Sequence, residues 1–546
     1  MQRLCHFLKA HVRALVFFSV VGLVVWLPLL GSGFVLNVDL VFTPHVVLPS
    51  ITSPSYIWWL ALKALNLILP MFVIEKLVLF AITFLSGFGM YYWLQTVFDS
   101  VKVGFEPKQP AFYLAGLLYA VNPFCYSRFM AGQYLVLLGY ALLPFFARSF
   151  FWACTMPRSR QAAYVAGVWL ALIGVVSLHI LGMALILAVV FMLATYTLTQ
   201  RRFLLLLAVR VFGTFLVLSL IWIIPVLLGH SAAAATASSF GAGDVNAFTT
   251  AGHGVFGQLL TVLLMHGFWA DSKNLYIAPQ DIYSWWWLPC ITVLIVSVAG
   301  LILGLRRNRV ALHLTVLGCV AITLSAGWLT RPIMAILPWF GGYREPQKFT
   351  ALLVFVYCFG FVIGTSWFMD RLKNASADTR TTLTILLAAI SVLTAPLMPW
   401  AFHRQLHTSY YPGDWAKVNS YFAAQKEKST VLFLPWHLYM PYSFTSHVIA
   451  NPAPKFFTNA MIIASNDPEI GAATGYGQPA MQRQLNKAFK GGSLDNVREA
   501  IAQDKAQYII VAKEYDFNKY ASLLDAPQYK LVQNYKTIEV FKVKKE

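Results

Sequence analysis

Charged residues are scarce in this sequence, and the scarcity is uneven. Of its 546 residues, 12% are charged and 58% are hydrophobic. Because a soluble domain carries about a quarter charged residues, this composition excludes a chain that is water-soluble throughout. Apolar stretches separated by short polar loops fill 1–400, whereas 401–546 contain polar residues at ordinary density. The sequence predicts a polytopic α-helical membrane domain over 1–399 and a soluble α/β domain over 400–546.

Cysteine is also rare, and the predicted soluble domain has none. All six cysteines lie between Cys5 and Cys358. Disulfide bonds therefore cannot stabilise that domain, even in an oxidising compartment. The chain also lacks a Walker A sequence, which excludes ATP hydrolysis by that route.

Long apolar runs are abundant in the first 400 residues. A membrane-spanning helix needs about 20 mostly apolar residues. The runs that meet or approach this length lie at 14–34, 71–97, 110–124, 134–154, 162–178, 180–199, 203–229, 286–305, 310–328, 350–369 and 381–399. The first run lacks an Ala-x-Ala cleavage site, so we interpret it as an uncleaved anchor. The sequence thus predicts about 11 transmembrane helices.

The net charge of +19 is spread over short clusters between these runs. Such clusters include Arg158 with Arg160, Arg201 with Arg202, and Arg306 with Arg307. This is the positive-inside pattern of a membrane protein, and it disfavours nucleic acid as a partner. It predicts a multi-pass protein of the cytoplasmic membrane with a cytoplasmic N-terminus. The C-terminal domain and the loops 35–70, 230–285 and 329–349 are then extracytoplasmic.

Asp39 is the single acidic residue between the first run and Glu75. One interpretation is a solvated loop carboxylate. The other is a general base near the membrane surface, where partial desolvation would raise its pKa and improve it as a proton acceptor. The loop has no Asp–Asp or Asp–Glu pair, so no motif supports a divalent metal cofactor, although metal dependence stays open. His45, in the same loop, is a candidate substrate contact.

The segment 341–349, GGYREPQKF, places Arg344 and Lys348 around Glu345 at the outer end of a span. The two cations can anchor lipid headgroups, with Glu345 as a local partner. Alternatively, they can bind a lipid-linked phosphate, for which Arg offers a bidentate fork and Lys a point charge. Arg128, in NPFCYSRFMAGQY, is another outer cation that can converge on the same phosphate. Tyr343 and Glu345 are further candidates for substrate contact.

With its first-loop Asp, interfacial helix, paired middle spans and C-terminal domain, the chain resembles the GT-C membrane glycosyltransferases. NPFCYSRFMAGQY and GYREPQKF resemble segments of bacterial membrane proteins that glycosylate lipoteichoic acid and of mycobacterial arabinofuranosyltransferases. STVLFLPWHLYMPYSF and QYIIVAKEYDFNKY, in the soluble part, are also similar to that group.

The resemblance implies a polyprenyl-phosphate-linked sugar donor, an envelope glycan or lipid acceptor, and an inverting transfer outside the cytoplasm. It implies that Asp39 is the catalytic carboxylate and that Arg344 and Lys348 face the donor phosphate. A transporter or flippase of lipid-linked sugars would share this topology and these cations. Few charges lie within the spans, Arg210 being the clear one, which disfavours a transport pathway.

The soluble part shows alternating elements. Helices are predicted at 414–425, 478–490, 493–504 and 516–525, and strands at 430–436, 507–513, 528–533 and 537–543. No acid–base constellation stands out there. We therefore expect this domain to position the acceptor or the membrane helices and to hold no catalytic residue.

Overall fold

The computed structural model describes residues 2–100, 106–155, 160–196, 201–306, 308–467, 469, 480–503 and 506–544. In the membrane part the α-helices are α1 (Gln2–Trp26), α2 (Tyr56–Leu65), α3 (Met71–Ser100), α4 (Gln109–Ala120), α5 (Pro123–Met130), α6 (Tyr134–Thr155), α7 (Arg160–Val176), α8 (Leu178–Thr195), α9 (Arg201–Leu227), α10 (Ala232–Ser239), α11 (Ala242–Ala247), α12 (Gly254–Leu263), α13 (Pro279–Ile282), α14 (Trp287–Leu305), α15 (Arg309–Ser325), α16 (Thr330–Ile336), α17 (Thr350–Arg371) and α18 (Ala377–Leu393). Short 3₁₀ helices lie at Leu27–Leu29, Trp269–Lys273, Pro338–Tyr343 and Pro346–Phe349.

Seven helices in the described residues are long and apolar enough to cross a membrane, or eight if the bent pair of α15 and α16 is one span. The protein is therefore a multi-pass membrane protein. Helices occupy all eleven predicted positions, but α4 has 12 residues and α7 and α18 have 17 each. Helix α4 ends before Asn122-Pro123, because Pro123 lacks the N–H that would continue it and instead begins α5. The count of eleven stays a prediction.

Helix α17 lies at the centre of the membrane part, and its residues 350–366 are all buried. It packs closely against α14 through small residues, as is common between membrane helices. A Cβ atom on Gly300 would lie 1.9 Å from the carbonyl oxygen of Gly360. A larger residue at Gly300 would force the helices apart. This packing fixes the segment 341–349, which immediately precedes α17.

The soluble part contains the helices α19 (Pro399–Arg404), α20 (Gly413–Ala423), α21 (Ala453–Phe456), α22 (Ala480–Gly491), α23 (Leu494–Gln503) and α24 (Ala521–Leu524), and a 3₁₀ helix at Phe517–Tyr520. The strands of the chain are β1 (Phe34–Val35), β2 (Thr408–Ser409), β3 (Ser429–Leu434), β4 (Tyr439–Pro441), β5 (Val448–Ala450), β6 (Ala460–Ile463), β7 (Tyr508–Ala512), β8 (Tyr529–Asn534) and β9 (Ile538–Val543).

The main sheet has five strands in the order β6-β3-β7-β9-β8. Strands β6, β3 and β7 are parallel, and β9 and β8 continue the sheet antiparallel. Strand β7 is buried along its whole length, as expected for a strand covered on both faces. The predicted helices and strands all occur, with shifted ends, and 516–525 forms a 3₁₀ helix followed by α24. The sequence interpretation missed the short strands β4, β5 and β6.

Two contacts join the first loop to the soluble part. Strand β1, directly after α1, pairs antiparallel with β2. Val38 bridges the β4–β5 hairpin: its N–H donates to the carbonyl oxygen of Val448, and its own carbonyl accepts from Ala450 N–H. The loop that holds Asp39 thus packs directly against the C-terminal domain.

Candidate active site

Asp39 is held by backbone contacts from two directions. Its N–H donates to the carbonyl oxygen of Ala131 at 3.3 Å, and the preceding Val38 has φ of 45°. Gly132, with φ of +73°, lies directly against this loop. A Cβ there would be 2.1 Å from the backbone nitrogen of Leu40 and 2.7 Å from that of Asp39. Only glycine fits at this position, which belongs to the NPFCYSRFMAGQY segment.

The Asp39 carboxylate accepts a hydrogen bond from the hydroxyl of Tyr439, on β4, at 2.6 Å. Burial raises the pKa of Asp39; the Tyr439 hydrogen bond opposes that rise, and the negative charge of Glu345 adds to it. The positive charge of Lys455 acts against the rise as well. A carboxylate with a raised pKa that stays accessible from a cavity is a better proton acceptor than an exposed one.

Glu345 is the centre of a buried ionic cluster. Its two carboxylate oxygens accept from Arg128 Nη1 and from Lys348 Nζ, each at 2.9 Å. Gln133 Nε2 donates to the same carboxylate at 3.2 Å, and Lys348 Nζ lies 3.3 Å from His179 Nε2. Burial alone would raise the pKa of Glu345, but the surrounding cations hold it well below its usual range. The cluster connects NPFCYSRFMAGQY with GYREPQKF, the two membrane segments on which the resemblance rests.

Arg344 differs from the other two predicted phosphate ligands. Its guanidinium carbon lies 3.9 Å from the ring centroid of Phe240 and 5.0 Å from that of Phe248. Its Nε is buried without a hydrogen-bond partner in the described part of the chain. Arg128 and Lys348 are instead both paired with Glu345, one on each carboxylate oxygen. Of the three cations, Arg344 is the one that lines the cavity next to Asp39.

These groups meet at a cavity of about 350 Å³, here called the Asp39 cavity. Its walls come from the first loop, the α5–α6 turn, the loops 230–285 and 329–349, and the C-terminal domain. The lining residues with polar side chains are Asp39, Gln133, Asp244, Trp269, Lys273, Arg344, Glu345, Tyr439 and Asn466. Apolar residues, including Phe240, Phe248 and Phe268, complete the wall. The volume is typical of a small-ligand site.

The structure places the predicted site residues as follows. Asp39, Arg344 and Glu345 line the cavity. Arg128 and Lys348 lie in the ionic cluster behind Glu345. Two candidates lie elsewhere: the Tyr343 hydroxyl donates to the carbonyl of Leu178, and His45 lines two separate cavities near α2.

Two residues of the C-terminal domain near Asp39 were missed by the sequence interpretation. Tyr439 contacts Asp39 directly, and Lys455 acts on it through its charge. Tyr439 lies within STVLFLPWHLYMPYSF, the segment that the resemblance singled out, so a signal for it was present. The C-terminal domain thus contributes to the site itself.

Among the described residues, no group of three or more His, Cys, Asp or Glu side chains could hold a metal ion. Asp39 and Glu345 both line the cavity, but Glu345 is already bound to two cations.

The fold and cavity define a class: a polytopic helical membrane protein in which interhelical loops and a C-terminal α/β domain together surround a carboxylate and a cation. No protein-family model and no curated protein sequence matches the chain. Solved structures do match. The arabinofuranosyltransferase AftD from mycobacteria aligns over 97% of this chain and 40% of its own, with a TM-score of 0.67 at 14% identity. A mutant of AftD aligns over 97% and 41%, with a TM-score of 0.64 at 13% identity.

The apo oligosaccharyltransferase of Archaeoglobus fulgidus aligns over 92% of this chain and 69% of its own, with a TM-score of 0.49 at 12% identity. The AftD match confirms the predicted GT-C-like membrane fold with a C-terminal sheet-containing domain. This chain spans less than half the length of the AftD structures.

Proposed function

We propose that the protein transfers a sugar from a polyprenyl-phosphate-linked donor to an envelope glycan or lipid acceptor, at the outer face of the cytoplasmic membrane. The observation that supports this most directly is the Asp39 cavity, which is lined both by Asp39, a carboxylate with a raised pKa, and by the cation Arg344. The shared fold with a known arabinofuranosyltransferase is consistent with this proposal.

The proposed reaction is a single displacement with inversion. Asp39 takes the proton from an acceptor hydroxyl as that oxygen attacks the anomeric carbon. The bond between the anomeric carbon and the phosphate oxygen breaks, and the lipid phosphate leaves with the electron pair. Arg344 stabilises the charge that develops on this leaving group, and the aromatic wall around it keeps the local dielectric low.

The ionic cluster has a supporting role in this scheme. Glu345 pairs with both Arg128 and Lys348, and these contacts hold the segment before α17, which contains Glu345 and Lys348, in place. Lys348 therefore contributes through position, where the sequence interpretation assigned it a direct phosphate contact.

The decisive test is Asp39→Asn in the purified full-length protein. The variant keeps size and hydrogen bonding but loses the proton acceptor, so transfer should fall about 10²–10⁴-fold while donor binding is retained. Transfer from a synthetic polyprenyl-phosphate sugar is measured in proteoliposomes, with donor binding measured separately. Asp525→Asn, an exposed position in the C-terminal domain, is the matched control. Normal transfer by Asp39→Asn would overturn the assignment.

A substitution of Arg344 can distinguish a transferase from a flippase. Arg344→Lys keeps the charge but loses the bidentate fork, so donor binding and transfer should both weaken. In a flippase, lipid translocation would slow in Arg344→Lys and no sugar transfer would be seen with any donor, even in the wild type. Translocation of a fluorescent polyprenyl phosphate measured in the same vesicles distinguishes the two.

A further inference from the structure

A second cavity, of about 530 Å³, lies in the C-terminal domain at the carboxyl ends of the three parallel strands. We call it the carboxyl-edge pocket. Trp436 and His437 follow β3, Ser465 and Asp467 follow β6, and Asp516 follows β7. Loops at this edge of a parallel sheet commonly form binding sites, since nothing else occupies the ends of the strands.

Helices α22 and α23, which connect β6 to β7, form the opposite wall. Asn486, Phe489 and Lys490 come from α22, and Ser493 precedes α23. The Trp436 ring stacks on Phe489 at a centroid distance of 4.8 Å, and its Nε1 donates to Asn486 Oδ1 at 2.8 Å. These contacts connect the helices to the strand ends and keep the pocket open between them.

The charges in the pocket are paired with one another. His437 Nδ1 lies 2.8 Å from Glu469 and its Nε2 lies 3.2 Å from Asp516. Lys519 pairs with Asp516 at 2.8 Å, and Lys490 pairs with Asp467. The hydrogen bond that His437 donates to Glu469 is the main cause that raises the pKa of His437, and its position between two carboxylates favours the imidazolium. Among the described residues, the lining therefore has three carboxylates and three cations.

This balance indicates a neutral, hydroxyl-rich ligand. A ligand with a net charge would meet as many repulsive as attractive charged groups in the pocket. A sugar hydroxyl both donates and accepts hydrogen bonds, so it can use carboxylates and ammonium groups alike. Asp516 Oδ1 is buried without a hydrogen-bond partner in the described residues, which leaves one acceptor for such a ligand.

The pocket adjoins the Asp39 cavity through two shared loops. Trp436 and His437 line the carboxyl-edge pocket, whereas Leu438 and Tyr439, next in the chain, line the Asp39 cavity. The loop after β6 also contributes to both spaces: Asp467 lines the carboxyl-edge pocket, and Asn466 lines the Asp39 cavity. Both loops therefore contribute residues to the two spaces.

We propose that the carboxyl-edge pocket binds a neutral oligosaccharide stretch of the acceptor whose reactive end reaches the Asp39 cavity. The assignment of the ligand as acceptor rests on the proposed function. The pocket would select acceptors by the glycan beyond the reacting sugar, and a longer acceptor would bind more tightly than a monosaccharide.

The test is saturation-transfer NMR on the full-length protein in nanodiscs, with short neutral linear oligosaccharides of glucose, mannose, galactose and arabinofuranose as probes. Wild type should bind at least one oligosaccharide more tightly than its monosaccharide. Ser493→Trp fills the pocket and should weaken that binding at least tenfold. Lys490→Met removes a donor without adding bulk and should weaken it less. Ser420→Trp, on the exposed face of α20, is the matched control and should bind normally.

The outcomes of this test are independent of the transfer reaction. Asp39→Asn should lose transfer and keep oligosaccharide binding. Binding by a wild type that shows no transfer would leave the pocket assignment standing and reject the transferase. Absence of oligosaccharide binding by wild type, or unchanged binding in both Ser493→Trp and Lys490→Met, would overturn the inference.

Discussion

At the scale of single residues, the site contains two carboxylates whose pKa values move in opposite directions. Burial by itself would raise the pKa of both Asp39 and Glu345, and the neighbouring charges decide the net shift. Glu345 has Lys348 and Arg128 within salt-bridge distance, and their attraction exceeds the cost of burial. Asp39 has a tyrosine hydroxyl and more distant cations, so burial prevails. The first arrangement gives a structural ion pair, and the second fits the proton acceptor that we propose.

Tyr439→Phe tests this account of Asp39. The hydrogen bond from Tyr439 favours the ionised carboxylate, so its loss should raise the pKa of Asp39 further. A base acts only when unprotonated, and the acid limb of the pH–rate profile should therefore move to higher pH. Transfer is measured across pH in wild type, Tyr439→Phe and the control Tyr535→Phe, whose hydroxyl donates to Gln533. An unmoved acid limb in Tyr439→Phe would contradict the role given to Asp39 as base.

Glu345→Gln tests the ionic cluster. Removing one charge from a buried pair typically costs about 3–5 kcal/mol, because the remaining cations stay buried without compensation. The folded-state pKa of Glu345 is lowered, so its stabilising contribution is present at neutral pH. That contribution should be lost as pH falls below the unfolded value of about 4.3. The free energy of unfolding of purified Glu345→Gln is compared with that of Asp495→Asn. Asp495 forms a surface ion pair with Arg498, so its substitution is expected to change stability by under about 1 kcal/mol. Equal effects of the two substitutions would contradict the argument.

At the scale of elements, the position of Asp39 depends on a turn that belongs to another part of the chain. The α5–α6 turn contains Gly132, against which the Asp39 loop packs without space for a side chain. Asn37 binds the same turn, since its Nδ2 donates to the carbonyl of Met130 at 2.6 Å. These contacts therefore fix the position of the loop relative to the turn.

Gly132→Ala should displace this loop. The new Cβ meets backbone atoms that cannot rotate away, and φ of +73° is already costly for alanine. We expect at least a tenfold loss of transfer, together with lower thermal stability. Gly31→Ala is the control, since a Cβ there has open space around it. Transfer within twofold of wild type for Gly132→Ala would show that the loop adapts.

The elements also show how far the sequence could be interpreted. Apolar runs predicted the helices of the membrane part, and β-branched runs predicted β3 and β7. The strands β4, β5 and β6 have three or four residues each, too few for a periodic pattern to show. Asp39, Arg344 and Glu345 were predicted from their residue types in outer loops. Tyr439 could not be placed, because its contact with Asp39 spans 400 residues of sequence.

At the scale of the whole molecule, contacts between helix ends constrain the path through the membrane. Val35, after α1, donates to Glu75 near the start of α3, and β1 pairs with β2 after α18. Gln133, before α6, contacts Glu345 before α17. All these ends lie on the face that holds Asp39. The chain must therefore return to this face between α3 and α6, and we expect the short α4 to cross with its neighbours.

The resulting topology predicts that the C-terminal domain lies outside and the α17–α18 turn inside. In a variant without native cysteines, Ser420→Cys should react with a membrane-impermeant maleimide in intact cells. Ser376→Cys, in the α17–α18 turn, should react only after the cells are permeabilised. The two exposed serines form a matched pair. The reverse pattern, or labelling of both in intact cells, would reject this orientation.

The pairing of β1 with β2 has a consequence for biosynthesis. The first loop leaves the ribosome early, but β2, Tyr439 and the β4–β5 hairpin that binds Val38 are synthesised several hundred residues later. Contacts of such long sequence separation form late in folding. While the intervening helices insert into the membrane, the first loop therefore lacks its contacts with β2, Tyr439 and the β4–β5 hairpin. A nascent chain halted before residue 408 would have Asp39 without its hydrogen bond and without a complete cavity. The proposed activity would therefore begin only when the last quarter of the chain has been synthesised and has folded.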